Sequence, residues 1–146
     1  MTSVTVRAHS TADPGRLWRA ASEFARHSAY FPFTKVTVTS GAGDQVGDTI
    51  VGTTRIGPVT LADPMTITTY DAPQAYAVRK TGSVLTGEVH VQVHPHGDGS
   101  QVVWTADVVP AWRWARIAGP VNTLISRAVY QHAVSAMART AESLDG

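Results

Sequence analysis

Three of the six histidines in this sequence lie within the segment HVQVHPH, residues 90–96, where their spacing raises the question of metal binding or proton transfer. The valines that alternate with them indicate a β-strand, in which positions i and i+4 lie about 13 Å apart. Because a ligand nitrogen lies about 2 Å from its metal ion, His90 and His94 cannot bind one ion together. His94 and His96 are closer in sequence, but they flank a proline beside a glycine-rich turn, so we predict no metal site here.

The turn after this segment, PHGDGS, also indicates which side of the sheet the histidines face. A hairpin closed by this turn pairs His94 with Gln101 and Val91 with Trp104, because the two-residue period of a strand fixes the face of each side chain. The face with the valines and the tryptophan is the apolar one and is therefore predicted to be buried. The histidines then lie on the solvated side, and Val91 and Trp104 are predicted to line the interior.

A second hairpin, closed by DAPQ at residues 71–74, places two charged side chains on an apolar face. A four-residue turn there pairs Met65 with Lys80 and Tyr70 with Ala75. The face that results is mostly apolar and is predicted to point inward, and its members are Leu61, Asp63, Met65, Ile67, Thr69, Tyr76, Val78, Lys80 and Gly82. The aspartate and the lysine of this set lie diagonally across the ladder, within reach of each other.

Asp63 and Lys80 are the leading candidates for catalysis. Lys80 is one of two lysines in the chain, and on an inward face it could donate a proton, orient a carbonyl group or form a Schiff base. Asp63 could serve as a general base. The structural alternatives are an ion pair between the two on a cavity wall, a lysine that reaches the rim, and an aspartate that caps a backbone amide at a bulge.

The C-terminal helix supplies the third catalytic candidate, His132. We predict that it lies near an apolar stripe that includes Val121 and Ile125, where a neutral imidazole could act as an acid or a base. The alternative is a core histidine whose hydrogen bonds are satisfied. Trp112 and Trp114 precede this stripe, and they could gate a cavity or stack on an aromatic ligand, or simply seal the core.

The remaining predicted contacts to a ligand are apolar or aromatic side chains on the same inward faces. Tyr76 could donate a hydrogen bond to a ligand carbonyl, although a tyrosine that only forms part of the wall is the commoner case. The full set of predicted ligand-binding residues is Tyr76, Met65, Ile67, Val78, Val91, Trp104, Trp112, Trp114, Val121 and Ile125.

The elements that position these residues follow from the turns and from the periodicity of the apolar residues. An alternating strand comes first, and two short helices follow it, the first of which is started by Asp13 and Pro14. Residues 35–110 alternate almost throughout between turn signals and predict about six antiparallel strands. The period then becomes helical and predicts one long helix, with a bend or a restart at Gly119-Pro120.

This order predicts an α+β fold in which the long helix covers the apolar face of a curved antiparallel sheet. One domain spanning residues 1–146 is large enough to have its own core. The chain has no cysteine, a net charge of +1, and basic residues that are scattered along its length. We therefore predict no disulfide and no nucleic-acid partner and, because long apolar runs are lacking, no membrane span and a cytoplasmic location.

The sequence resembles the START-like, Bet v 1-like (SRPBCC) superfamily, and within it the bacterial polyketide cyclase/dehydratase and lipid-transport group. The resemblance rests on DPGRLWRAASEFARHSAYFPF, VGDTIVGTTRIGP, LADPMTITTYDAP, KTGSVLTGEVHVQVHPHGDGSQVVWTADVVP and a last helix rich in Arg, Ala and Leu. It implies a helix-grip fold, in which a curved antiparallel sheet of about seven strands, two short helices and a long C-terminal helix enclose a cavity. It also implies that the cavity binds a hydrophobic or aromatic molecule such as a polyketide, lipid, sterol or quinone.

We therefore expect a protein that cyclises a polyketide-type substrate by aldol condensation, or dehydrates it, with acid/base groups of the cavity and without a metal or organic cofactor. One alternative is a non-catalytic carrier of a hydrophobic ligand, which needs only the cavity. Another is a protein-interaction module, which needs an exposed apolar patch. The sequence leaves open whether the protein is a monomer or a homodimer.

Overall fold

The strands predicted from the turn signals form one antiparallel sheet in the computed structural model, which describes residues 3–110 and 119–145, the side chains of 119–122 excepted. Within these residues the strands are β1 Val4–Ser10, β2 Thr34–Ser40, β3 Thr49–Ile56, β4 Val59–Asp71, β5 Ala75–Lys80, β6 Leu85–His96 and β7 Gly99–Pro110. Their order across the sheet is β1-β7-β6-β5-β4-β3-β2. The first two strands in sequence are therefore the two edges of the sheet.

Helices connect those edges and cover one face. They are α1 Pro14–Ser22, a 3-10 helix Phe24–Ala29, and α2 Gly119–Ser143. The first two lead from β1 to β2, and α2 packs against β1 and α1. The predicted α+β helix-grip fold is confirmed. Among the described residues α2 begins at Gly119, the position predicted for a bend or a restart, and residues 111–118 before it lie outside the described ones. No helix of the described ranges is both long and apolar enough to cross a membrane.

The β6–β7 hairpin has the register predicted from its turn. His94 pairs with Gln101, and Val91 pairs with Trp104. The valines of β6 are buried, whereas His90 and His94 are exposed on the outer face of the sheet. The segment of three histidines is therefore the solvated side of a wall whose inner side is apolar.

The β4–β5 hairpin differs from the prediction at its turn end. A bulge after Ile67 shifts the register, so that Tyr70 pairs with Tyr76 and not, as predicted, with Ala75. Beyond the bulge the two faces exchange, and Thr69, predicted to point inward, is exposed. A bulge adds one residue to one strand only, and the turn sequence gives no signal for it. The pairs before the bulge keep the predicted register.

The second half of α2 packs on β1 and α1 through a stripe of small and apolar residues. The buried members of this stripe are Ala133, Val134, Met137, Ala138 and Ala141. The Ser10 hydroxyl donates a hydrogen bond of 2.9 Å to the Ala138 carbonyl oxygen, and the Thr11 amide donates one of 2.9 Å to the Glu142 carboxylate. These contacts attach the end of the helix to the end of β1.

This stripe is not the one predicted from the sequence. His132 is exposed on α2, and so are Leu124 and Ile125 in its first half. Alanine occurs on several faces of the helix, so the apolar period alone does not define which face is buried. The predicted phase of the helix was therefore wrong, although its existence and extent within the described residues were predicted.

Candidate ligand cavity

A cavity of about 270 Å³ lies between the inner face of the sheet, the 3-10 helix and α2. Its lining among the described residues is mostly apolar or aromatic, and consists of Phe24, His27, Phe31, Thr34, Val36, Ile50, Gly52, Thr54, Asp63, Met65, Tyr76, Val78, Lys80, Leu85, Val89, Trp104, Ile125, Ser126, Val129 and Tyr130. Ile125 is 57% exposed and also lines the cavity, so the cavity reaches the surface beside the first half of α2.

Asp63 and Lys80 are the only charged side chains among the described residues that line this cavity. Met65 pairs with Lys80 as predicted, and the Lys80 ammonium donates a hydrogen bond to Asp63 Oδ2. The side chains are 8% exposed for Lys80 and 21% exposed for Asp63. Asp63 Oδ1 is buried and has no hydrogen-bond partner among the described residues, so the carboxylate retains an unused acceptor.

His27 is a buried cavity residue for which the sequence suggested no partner. Its Nε2 lies 2.8 Å from the carbonyl oxygen of Ala21. A carbonyl oxygen can only accept a hydrogen bond, so the proton is on Nε2 and the lone pair of the neutral ring is on Nδ1. Burial lowers the pKa of His27 to about 4, against a small opposing effect of the hydrogen bond to Ala21. The ring is therefore uncharged at neutral pH.

The same end of α1 also holds the hydroxyl groups of two tyrosines. Tyr76 donates a hydrogen bond of 2.8 Å to the Ala21 carbonyl oxygen, and Tyr30 donates one of 2.9 Å to that of Ala20. The last carbonyl groups of a helix have no partner within the helix, and these side chains satisfy two of them. Burial raises the pKa of Tyr76, so its hydroxyl stays protonated and committed to α1. Tyr76 therefore contributes its ring to the cavity wall.

Tyr130 and Trp104 form the part of the wall between α2 and β7. Their ring centroids lie 5.5 Å apart. Burial, with a smaller contribution from the negative charge of Asp63, raises the pKa of Tyr130 to about 12, so this phenol remains a hydrogen-bond donor. Trp104 Nε1 is buried and has no acceptor among the described residues. A buried N–H group without an acceptor is destabilising by about 1–3 kcal/mol, so a small shift that brings an acceptor to it would be favourable.

Sequence comparison places this architecture in a known family. A sequence model of the family described as polyketide cyclase / dehydrase and lipid transport matches residues 1–143. The chain belongs to this family. Its structural neighbours include Bet v 1-like proteins, as the resemblance in the sequence implied. No curated protein has a sequence that matches the chain.

Solved structures share the fold at low sequence identity. The KanY protein is 16% identical with a TM-score of 0.76, over 97% of this chain and 98% of its own. A protein from Chromobacterium violaceum is 10% identical with a TM-score of 0.73, over 99% and 100%. Norcoclaurine synthase from Thalictrum flavum is 16% identical with a TM-score of 0.70, over 99% and 89%. These likenesses show that the fold is shared, and the family match supports a ligand-binding protein.

Most of the residues that the sequence predicted for the site do line the cavity in this family member. They are Asp63, Lys80, Tyr76, Met65, Val78, Trp104 and Ile125. Ile67 and Val91 are fully buried but are not among the lining residues. They belong to the core on which the wall packs.

Four other predicted residues do not reach the cavity or cannot be placed. His132 is exposed, and the prediction that it lies near the cavity is wrong, because α2 is rotated relative to the predicted stripe. Trp112 and Trp114 lie outside the described residues, and so does the side chain of Val121, which is within α2.

Five polar cavity residues were missed, and they are His27, Thr34, Thr54, Ser126 and Tyr130. His27 lies three residues after Phe24 and four before Phe31, so its helical spacing from two aromatic residues was the available signal. The inward position of Tyr130 depends on the rotation of α2, for which the sequence offers no clear pattern. With the ion pair, His27 and Tyr130 give the cavity a charged donor, a carboxylate, a phenol and a neutral imidazole.

Proposed function

We propose that the protein binds a hydrophobic, ketone-bearing ligand of polyketide type and promotes its cyclisation by aldol condensation, or its dehydration. The observation that carries this proposal is the ion pair of Asp63 and Lys80, within a wall whose other described residues are uncharged. A cation and a carboxylate that face an apolar cavity act on a bound ligand with little competition from water, which strengthens their electrostatic effect.

In the aldol step, the Lys80 ammonium donates a hydrogen bond to a ketone oxygen and Asp63 removes a proton from the neighbouring carbon. The electron pair of that C–H bond enters the enolate, whose carbon attacks a second carbonyl of the same molecule and forms the new C–C bond. The resulting alkoxide takes a proton from Lys80, and Asp63 returns its proton to the lysine. The product is an isomer of the substrate, so no oxidant, reductant or cofactor is consumed.

Dehydration uses the same two groups. Asp63 removes a proton from the carbon beside the ketone, and the electron pair of that C–H bond forms the C=C bond as the C–O bond of the β-hydroxyl breaks. The hydroxide leaves as water with a proton from Lys80, and Asp63 then returns its proton to the lysine. Holding the reacting carbons together in the cavity supplies the remaining acceleration. Norcoclaurine synthase, which shares this fold, is solved with dopamine and hydroxybenzaldehyde. That structure supports the view that such a cavity accommodates an aromatic carbonyl compound.

The competing function is that of a carrier, which needs the cavity but no proton transfer. The hydrogen bond from the Tyr76 hydroxyl to α1 favours the carrier function, because this hydroxyl is then not available to donate a proton to a ligand. A naphthyl β-hydroxy ketone distinguishes the two functions. Dehydration converts it to a conjugated enone, and the reverse of the aldol reaction converts it to naphthaldehyde and acetone. Absorbance or fluorescence detects the enone and the naphthaldehyde.

We expect the wild-type protein to accelerate at least one of these reactions, and Lys80→Met and Asp63→Asn each to lower the rate by about 100-fold, the usual contribution of acid/base catalysis. Arg79→Met is the matched control, because Arg79 precedes Lys80 on β5 and pairs with Glu88 at 2.7 Å on the exposed face. If the Lys80 and Asp63 variants convert the ketone as fast as the wild type does, these two groups do not catalyse the reaction. Binding of the ketone without any turnover would identify a carrier.

A further inference from the structure

His27 and Lys80 lie at different levels of the sheet, and both line the cavity. His27 Nε2 and the Tyr76 hydroxyl both donate to the carbonyl oxygen of Ala21, at 2.8 Å each, so the imidazole lies beside the tip of Tyr76. Tyr76 pairs with Val91, which pairs in turn with Trp104, and this row marks the level of His27.

Lys80 belongs to a row four residues farther along β5. It pairs with Gly87, which pairs with Val108. Four residues of an antiparallel strand span about 13 Å, so the backbones of the two rows are about 13 Å apart. The Lys80 ammonium binds Asp63, which lies two residues beyond Met65 on β4, on the side away from the Tyr76 row. The imidazole and the ammonium therefore lie toward opposite ends of the same apolar cavity. Between them the wall is formed by side chains such as Val78, Val89 and Met65, which offer no strong hydrogen bond.

Nδ1 of His27 is available as a hydrogen-bond acceptor. Its Nε2 is already occupied by Ala21, and among the described residues the ring makes no other hydrogen bond. Nδ1 is therefore a neutral acceptor. It belongs to an imidazole ring that lies among aromatic rings, those of Phe24, Tyr30, Phe31 and Trp104. An acceptor in such surroundings favours a hydroxyl donor on an aromatic or enolic ligand over an unpaired carbonyl oxygen, which cannot donate.

The volume limits the size of that ligand. A cavity of about 150 Å³ in another protein accommodates a benzene molecule, so a cavity of about 270 Å³ fits a ligand of about two fused rings. The long dimension of such a molecule, with one substituent at each end, matches the separation of the two rows once a hydrogen bond is added at either end.

We propose that His27 positions the ligand through Nδ1, which accepts a hydrogen bond from a phenolic or enolic hydroxyl at one end of a fused-ring ligand whose ketone lies at Lys80. This inference rests on the proposed function for its placement of the ketone. It names the ligand class as a bicyclic hydroxy-ketone and makes His27 a binding residue that selects the ligand and its orientation. Tyr76 and Tyr30 hold α1, while His27 both holds α1 and contacts the ligand.

The test compares two probes at equilibrium: an acetylnaphthol with the acetyl and hydroxyl groups on opposite rings, and its methyl ether, which lacks the donor. We expect the wild type to bind the naphthol about five- to tenfold more tightly than the ether, the effect of one net hydrogen bond. His27→Phe keeps a ring of similar shape, and we expect it to lose this preference while it binds the ether as the wild type does. Isothermal titration calorimetry measures both affinities.

Tyr30→Phe is the matched control, because it also removes one hydrogen bond from the end of α1 but does not line the cavity. It should keep the preference for the naphthol. A second measurement needs no variant: in protein labelled with nitrogen-15 histidine, the Nδ1 resonance of His27 should move on binding of the naphthol and stay in place on binding of the ether. An unchanged Nδ1 resonance, a wild type without the preference, or a His27→Phe protein that keeps it would each overturn the proposal.

The result also separates this inference from the proposed catalysis. Lys80→Met should lose turnover of the naphthyl β-hydroxy ketone and still prefer the naphthol to the ether, since His27 is intact. A protein that shows the preference but no turnover is a carrier in which His27 still positions the ligand. A protein that turns over the ketone but shows no preference retains the proposed function and refutes the role of His27.

Discussion

The ammonium of Lys80 and the carboxylate of Asp63 are both largely removed from water, so each charge is stabilised mainly by the other. Removing one partner of a buried ion pair costs about 3–5 kcal/mol, because the remaining charge is left without compensation. We expect Lys80→Met to lower the free energy of unfolding by an amount near the lower end of this range, since Asp63 is 21% exposed. Urea denaturation at neutral pH measures this change.

The double variant Lys80→Met/Asp63→Leu removes both charges and should recover most of the lost stability, because an apolar pair of similar volume is often as stable as a buried ion pair. Arg79→Met breaks the exposed pair with Glu88 on the opposite face and should change the stability by less than about 1 kcal/mol. A double variant that is less stable than Lys80→Met alone would show that the pair is a main contributor to the fold.

His27 makes the stability depend on pH. Its pKa is lowered from 6.5 to about 4 in the folded protein, so between these values the unfolded chain binds a proton that the folded chain does not. The free energy of unfolding therefore rises with pH from about 4 to 6.5, and His27 contributes on the order of 3 kcal/mol across this window. We expect His27→Phe to flatten that dependence in urea denaturation series at pH 4 to 7.

The comparison with wild type removes the effect of other groups. Glu88, Glu142 and Asp13 also have lowered pKa values, but these carboxylates remain in both proteins and cancel in the difference. If the free energy of unfolding depends on pH in the same way for the wild type and His27→Phe, the pKa of His27 is not lowered in the folded protein.

At the level of single residues, the sequence predicted the groups whose positions follow from local register. Asp63 and Lys80 were placed together because a turn and a two-residue period suffice to pair their strands. His27 was not, because its partner is a backbone carbonyl at the end of α1, and a helix end can accept from any donor that the tertiary fold brings to it. His132 was misplaced because its orientation depends on how α2 is rotated on the sheet.

Among the elements, β6 depends on a glycine at the point where it passes the Lys80 row. Gly87 has φ of 126°, and a Cβ built on it would collide with the carbonyl oxygen of Asp107 on β7. Gly47 also has a positive φ, of 95°, but a Cβ there would meet no atom within 4 Å. Comparing alanine substitutions at Gly47 and Gly87 therefore separates the cost of the positive φ from the cost of the steric clash.

We expect Gly47→Ala to lower the free energy of unfolding by about 1 kcal/mol and Gly87→Ala by about 3 kcal/mol or more, since only the second adds a clash within a strand pair to the strained φ. Thermal and urea unfolding measure both changes. If Gly47→Ala and Gly87→Ala lower the free energy of unfolding by the same amount, β6 and β7 separate locally at Gly87 without an effect on the rest of the sheet.

The order of the elements and the pairing of consecutive strands were predictable because turn signals recur between the alternating segments. The pairing of β1 with β7, which are far apart in sequence, was not predicted. What the sequence did not predict is the bulge after Ile67, which exchanges the faces of β4 near its end, and the rotation of α2. Both are outcomes of packing between elements. A pattern within one segment therefore predicts the segment, while its exact facing requires its neighbours.

The whole molecule combines a fully packed region, where the second half of α2 rests on β1 and α1, with a cavity under its first half. The packed region stabilises the fold, whereas the proposed function depends on the cavity, so stability and ligand binding should respond differently to a substitution that only narrows the cavity. Gly52 allows that experiment. It lines the cavity on β3 and pairs with Asp63, and a Cβ there would lie 3.7 Å from Thr34 Cγ2 and 3.9 Å from Met65 Cε, in ordinary contact.

We expect Gly52→Ala to raise the free energy of unfolding by up to about 1 kcal/mol, because it reduces the freedom of the unfolded chain without strain, and Gly52→Val to be at least as stable as wild type. Both should weaken binding of the acetylnaphthol in order of size, so that the rise in melting temperature at a fixed probe concentration shrinks with each added methyl group. Gly15→Ala, on α1 and not among the residues that line the cavity, is the control for binding: a Cβ there would lie 3.2 Å from Asp13 Oδ2, so the variant should leave that rise intact whether or not the exposed Asp13 side chain moves. If Gly52→Val binds the probe as the wild type does, the ligand occupies another part of the molecule, and the inward-facing ion pair then belongs to the wall of an unused space.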